Sequence, residues 1–163
     1  MIKPQITHKK RQVSKRRGAT IVEFALIVPI LLALLMGILE WAWLARTQLT
    51  VANAAREGIR HAVLGNTSTS VQTRIINAAA VLRPALSTSN IVLTQTPDRT
   101  TANPTYYAWP ADTTGTTPRN GVPAGNIIRV QVNYTHRSLT GFFPILNNRN
   151  VSISVSMARE ATG

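Results

Sequence analysis

Residues 16 to 41 read RRGATIVEFALIVPILLALLMGILEW, and within them sixteen consecutive residues, Phe24 to Leu39, carry no charge. At about 1.5 Å per residue a helix over this run spans roughly 24 Å, and its extension through WAWLA to Ala45 spans roughly 33 Å. The two lengths bracket the hydrocarbon thickness of a bilayer. A chain of 163 residues has room for one ordinary domain and an accessory segment, too little to surround such a helix on every face. The sequence therefore predicts a helix whose solvent is lipid.

The apolar region does not end in small residues at a cleavage site, as a secretory signal would. It runs into EWAWLARTQLTVANAAREGIRHAV, residues 40 to 63, where Leu44, Leu49, Ala52, Ala55, Ile59 and Val63 recur at roughly helical spacing. One long helix, continuing past the membrane, is expected. Trp41 and Trp43 fall where the outer interface should lie, a depth that favours tryptophan. Pro29 removes one backbone hydrogen bond and should bend the helix, while Ala33 and Gly37, four apart, offer a smooth face for close helix contact.

The charge of +12 is unevenly placed. Seven of the eighteen basic residues, Lys3, Lys9, Lys10, Arg11, Lys15, Arg16 and Arg17, precede Gly18 with no acid among them; after it eleven basic residues face six acidic ones. The basicity thus describes a short tail, and a nucleic-acid partner is not indicated. By the positive-inside rule the tail stays in the cytoplasm and the carboxyl-terminal part faces outward. The absence of cysteine removes disulfides, thiolate metal sites and a cysteine nucleophile together.

Beyond the long helix, an apolar stripe of Val71, Ile75, Ala78, Ala79 and Leu82 predicts a second helix within residues 70 to 86, with Pro84 placing its end near Arg83. Three β-rich runs follow at 91 to 96, 127 to 135 and 151 to 158. Val130, Val132 and Tyr134 share one face, as do Val151, Ile153, Val155 and Met157, while Ser152, Ser154 and Ser156 oppose them. The fold class is α+β, with a small antiparallel sheet covered on one side. Residues 97 to 125 form a long Thr- and Pro-rich loop carrying Tyr106, Tyr107 and Trp109, aromatics that either cap the sheet or form a contact surface for a partner or sugar.

Catalysis finds little footing. His8, His61 and His136 have no metal-ligand spacing, and no nucleophile elbow or phosphate-binding glycine loop occurs. With Glu23 and Glu40 read as lying at the membrane, only Glu57, Asp98, Asp112 and Glu160 remain for an exterior site. The expectation is a non-enzyme with no catalytic residues, no metal and no cofactor.

A carboxylate at residue 23 demands a reason, since a charge at mid-bilayer costs on the order of 2.5–3.5 kcal/mol. Position alone permits it at a cytoplasmic interface. The pattern, however, is more particular: a basic leader, Gly18, four residues from Ala19 to Val22, then Glu23-Phe24 and an apolar helix resembles the prepilin cleavage region of type IV pilin-like proteins. More closely, residues 16 to 64, with the proline, the second glutamate and the segment Ala55-Arg56-Glu57-Gly58, resemble the TadE-like family of minor pilins or pseudopilins of tight-adherence (Flp-type) pilus systems. The ending VSISVSMARE is similar to the family's late strand more weakly.

This resemblance implies a basic leader, residues 1 to 18, cut by a prepilin peptidase between Gly18 and Ala19. A transmembrane and extended helix over 19 to 64 and an exterior α+β domain over 65 to 163 would remain. Glu23 becomes the fifth mature residue, able to meet the N-terminal ammonium of Ala19 on a neighbouring subunit. The implied partners are the peptidase, other pilin and pseudopilin subunits, the inner-membrane assembly platform and the lipid bilayer. The implied location is the bacterial inner membrane, single-pass, with the carboxyl-terminal domain periplasmic or, within a pilus, extracellular. The rival expectation is a single-pass receptor or adhesin that never enters a filament.

Overall fold

The computed structural model describes residues 16–115 and 119–159. The leader cations before Arg16, His8 and Glu160 lie outside the described residues. The chain divides into two units, residues 1–38 and 39–163. Helix α1 spans Arg16–Val63 and continues through Pro29, and helix α2 spans Ser68–Ala78. Strands β1 (Ile91–Thr96), β2 (Tyr107–Ala108), β3 (Ile127–His136) and β4 (Arg149–Ala158) follow. They form one antiparallel sheet in the order β2-β1-β3-β4, so the architecture is α+β.

In the second unit the buried positions of α1 are Glu40, Leu44, Thr47, Val51, Ala54, Ala55, Gly58, Ile59, Ala62 and Val63. Steps of three and four dominate this series, so one face of the helix packs inward. Leu49, by contrast, is exposed, and Ala52 is half-buried. The expected stripe was displaced by about one position in its middle, because small or polar residues with apolar stems, such as Thr47 and Gly58, fill the true face. Gly58 is required by α2: a Cβ there would run into Cγ1 and Cδ1 of Ile75, a fully buried side chain. Glu57 beside it pairs with Arg74 at 2.7 Å. Glu57 and Gly58 therefore form part of the docking surface for α2.

The helix ends at a Schellman motif, in which Gly65 (φ +86°) donates its N–H to Ala62 and Asn66 donates to His61. Thr67 and Asp112 then begin α2. The Thr67 hydroxyl accepts from Ser70 N–H, and the Asp112 carboxylate accepts from both the N–H and the hydroxyl of Ser68. The helix ends at Ala78, earlier than the position near Arg83 that the proline implied. Ala79 starts a turn, closed by Leu82 N–H onto its carbonyl, and Arg83 donates to the carbonyls of Ala80 and Leu82. Leu82 and Leu86 still reach the core, from irregular backbone rather than from a helix.

β3 and β4 pair along their full length, from Ile127 opposite Ala158 to His136 opposite Arg149. The inner face of β3 places Ile128, Val130, Val132, Tyr134 and His136 in the core with α1 and α2. On β4 the apolar face fades along the strand, from buried Val151 through half-buried Ile153 and Val155 to exposed Met157.

The described parts of the 97–125 segment are held to the domain. Asp112 grips α2, and Asn120 donates from Nδ2 to the carbonyls of Ala62 and Asn66, closing the end of α1. Val122 is fully buried. The segment also contributes β2, an edge strand of two residues that alternation could not reveal.

Candidate assembly and anchoring site

Within the first unit, α1 from Gly18 to Ile38 offers apolar side chains in every direction. Ile21, Phe24, Leu26, Leu31, Leu34 and Ile38 are all exposed, though they fall on different sides of the helix. A water-soluble amphipathic helix would bury one face. Here none of the most apolar stretch is buried within the chain, and the helix Thr20–Val63 is long and apolar enough to cross a membrane. Ala33 and Gly37 are half-buried.

Gly18 lies in α1, and a Cβ there would meet nothing within 4 Å. Glu23 stands five residues beyond the glycine and is exposed. Among the described residues the one ion pair is Arg74–Glu57, so the Glu23 carboxylate is available to a group outside the chain.

The second acid of the helix behaves differently. The sequence placed Glu40 at the membrane, but its side chain is fully buried in the second unit. One carboxylate oxygen accepts Leu139 N–H at 2.8 Å, and the other accepts Thr140 N–H at 3.3 Å and its hydroxyl at 3.2 Å. Beside it His136 is buried, its Nδ1 sharing a hydrogen bond with the Thr47 hydroxyl at 3.1 Å. Burial holds the His136 pKa below 6.5, and the Glu40 charge opposes that shift in part. Sequence reasoning missed this arrangement because the partners of Glu40 lie 99 and 100 residues away. The signal that could have raised it is a glutamate opening a helical repeat whose other members are core residues.

The two tryptophans part company. Trp41 is 66% exposed, whereas Trp43 is half-buried with the Arg46 guanidinium 5.4 Å from its ring centre. The three loop aromatics also divide. Trp109 packs against the core; Tyr106 lies under the Arg129 guanidinium, 3.5 Å from the ring centre; Tyr107 stays exposed on the β2 edge. Two of the three thus cap the sheet, and only Tyr107 is free to meet a partner.

The residues that this geometry marks in α1 are Gly18, Glu23, the all-round apolar stretch, Glu40, Glu57 and Gly58. The family model for TadE-like protein matches residues 18–60, a span that contains every one of them. Residues 18–60 form a TadE-like segment. Neither curated proteins nor solved structures gave a match to the chain. The TadE-like segment lies wholly within α1. It joins an apolar helix able to serve as a single-pass anchor to the helical half of the second unit's core.

Proposed function

We propose that this chain is a minor pilin or pseudopilin of a tight-adherence type IV pilus. A prepilin peptidase removes residues 1 to 18, and the processed subunit takes part in assembling, initiating or anchoring the filament. The apolar helix holds it in the bacterial inner membrane with the domain on the periplasmic side, and Glu23 pairs with the Ala19 ammonium of a neighbouring subunit. The observation that carries this reading is an apolar helix with no buried face whose exposed carboxylate stands five residues after Gly18, inside a TadE-like match. A helix of that kind needs lipid or other helices around it, and a carboxylate brought into such surroundings needs a cation.

Ala33 and Gly37 give the neighbouring helices a place of close approach. Trp41 sits at the outer interface. The assembly platform and other pilin subunits are the partners this role requires.

Glu23→Gln tests the role of the carboxylate. It keeps size and hydrogen-bonding capacity while removing the charge. A desolvated pair that loses one partner costs about 3–5 kcal/mol, enough to abolish assembly, whereas a solvated pair costs under about 1 kcal/mol. Surface filaments should be lost while the cleaved subunit remains in the membrane at normal level. Normal piliation by the cleaved variant would remove Glu23 from assembly.

A further inference from the structure

The β3–β4 loop reads RSLTGFFPILNN, residues 137 to 148, and three of its apolar residues are turned outward. Ile145 is 80% exposed, Phe142 59% and Leu139 58%. The loop is nonetheless ordered. Phe143 and Leu146 are half-buried, Leu146 packs on the core, and the Phe142 and Phe143 rings meet edge-on at 5.1 Å. Thr140 accepts Phe142 N–H, Asn147 accepts the N–H groups of Ser138 and Asn148, and a single 3-10 turn spans Pro144–Leu146. A loop already fixed in shape loses little entropy when its tip enters another phase.

Three features name that phase. Glu40 holds the backbone of Leu139 and Thr140, and Glu40 directly follows Leu39, the last residue of the uncharged run. The loop is therefore fastened at the place where the chain leaves its apolar stretch. Trp41, the next residue, is itself largely exposed, as an interfacial tryptophan would be. Finally, Arg137 and Arg149 bracket the apolar tip with no acid between them, which suits the negative surface of a bilayer containing anionic lipid.

We infer that the β3–β4 loop is a second membrane contact, with Leu139, Phe142 and Ile145 entering the headgroup and acyl boundary beside Trp41 while Arg137 and Arg149 meet lipid phosphates. This rests on the reading of α1 as a membrane anchor. The contact would fix the tilt and rotation of the domain on the bilayer, which a single helix leaves free, and so set which face of the subunit a growing filament meets.

The cysteine-free chain permits a direct test. Single variants Ile145→Cys, Thr100→Cys and Ile30→Cys, each labelled with an environment-sensitive fluorophore, are reconstituted as full chains into vesicles of phosphatidylcholine and phosphatidylglycerol, with and without nitroxide-bearing lipid. Emission at 145 and 30 should shift to the blue and be quenched by the nitroxide; emission at 100, in an exposed loop, should do neither. Adding Phe142→Asp should abolish quenching at 145 and leave it at 30. Quenching at 30 without quenching at 145 overturns the loop contact and leaves the anchor standing, and a blue shift at 145 that lipid nitroxide does not quench assigns the patch to a protein partner instead. Quenching at 145 that survives Phe142→Asp belongs to the fluorophore and overturns the proposal, and absence of quenching at both 30 and 145 removes the anchor and the loop contact together.

Discussion

Replacement of Glu40 by alanine should be among the most damaging single changes in the domain. The carboxylate is fully buried and accepts three hydrogen bonds from Leu139 and Thr140. A hydrogen bond to a charged group contributes about 1.5–3 kcal/mol, but the two longer bonds lie toward the weak end and Thr140 is open enough for water to replace part of them. Loss of the network, with the Leu139 N–H left partly buried and a void where the side chain stood, should cost about 3–5 kcal/mol. At roughly 4 °C per kcal/mol, the midpoint of thermal unfolding should fall by about 10–20 °C. Glu40→Gln keeps the volume and one acceptor but turns an amide NH2 toward a backbone donor, so it should cost about 1–2 kcal/mol. The measurement is unfolding of the full chain in mild detergent, followed by near-ultraviolet circular dichroism, with amide exchange at Leu139 and Thr140 as the local readout. Exchange at both should accelerate in Glu40→Gln. Stability of Glu40→Ala within about 0.5 kcal/mol of the parent, a change typical of an unconstrained surface site, would refute the claim that this glutamate holds the β3–β4 loop.

Two further changes probe the same domain. Gly58→Ala gains up to about 1 kcal/mol of helix propensity but forces a methyl into Ile75, at about 1–3 kcal/mol for overpacking, so it should destabilise on balance; adding Ile75→Val should recover part of the loss in a double-mutant cycle. His136 has a lowered pKa in the folded chain, so the unfolded chain binds the proton more readily. Its contribution to stability is present above about pH 6.5 and is lost as pH falls through that value toward the folded pKa. Thermal midpoints at about pH 7.5 and 5.5 should therefore differ less in His136→Gln than in the parent, and an unchanged difference would show that other groups carry the acid sensitivity.

What the sequence made legible was whatever depends on periodicity. Sixteen uncharged residues announce a helix long and apolar enough to cross a membrane, and the alternation of Val130, Val132 and Tyr134 announces a half-covered strand; both patterns are local. β1 was legible from composition rather than alternation, and its ends at Ile91 and Thr96 coincide with the β-rich run. Features set by distant partners stayed hidden. Glu40 looked like a membrane carboxylate because its donors lie on the β3–β4 loop, and the 97–125 segment read only as a long loop because Asp112 and Asn120 bind helix ends far along the chain. The second helix stopped short of Pro84 because the turn at Ala79 carries Leu82 and Leu86 into the core, a tertiary gain that a proline-based boundary does not include. For the site, the Gly18 to Glu23 interval was readable as a motif. The division of Tyr106, Tyr107 and Trp109 among a guanidinium stack, an exposed edge and the core was not, since it depends on Arg129 and on the short pairing of β2 with β1.

The mature N-terminus tests the central claim most directly. The full chain, extracted from membranes of cells with and without a co-expressed prepilin peptidase, would be read by N-terminal sequencing and intact mass. On the pilin route the chain begins at Ala19 only when the peptidase is present. Gly18→Leu, which puts a branched side chain where the backbone is now open, should then retain the leader. A chain that keeps Met1 in the presence of an active peptidase would contradict the pilin route and leave a plain signal anchor in its place.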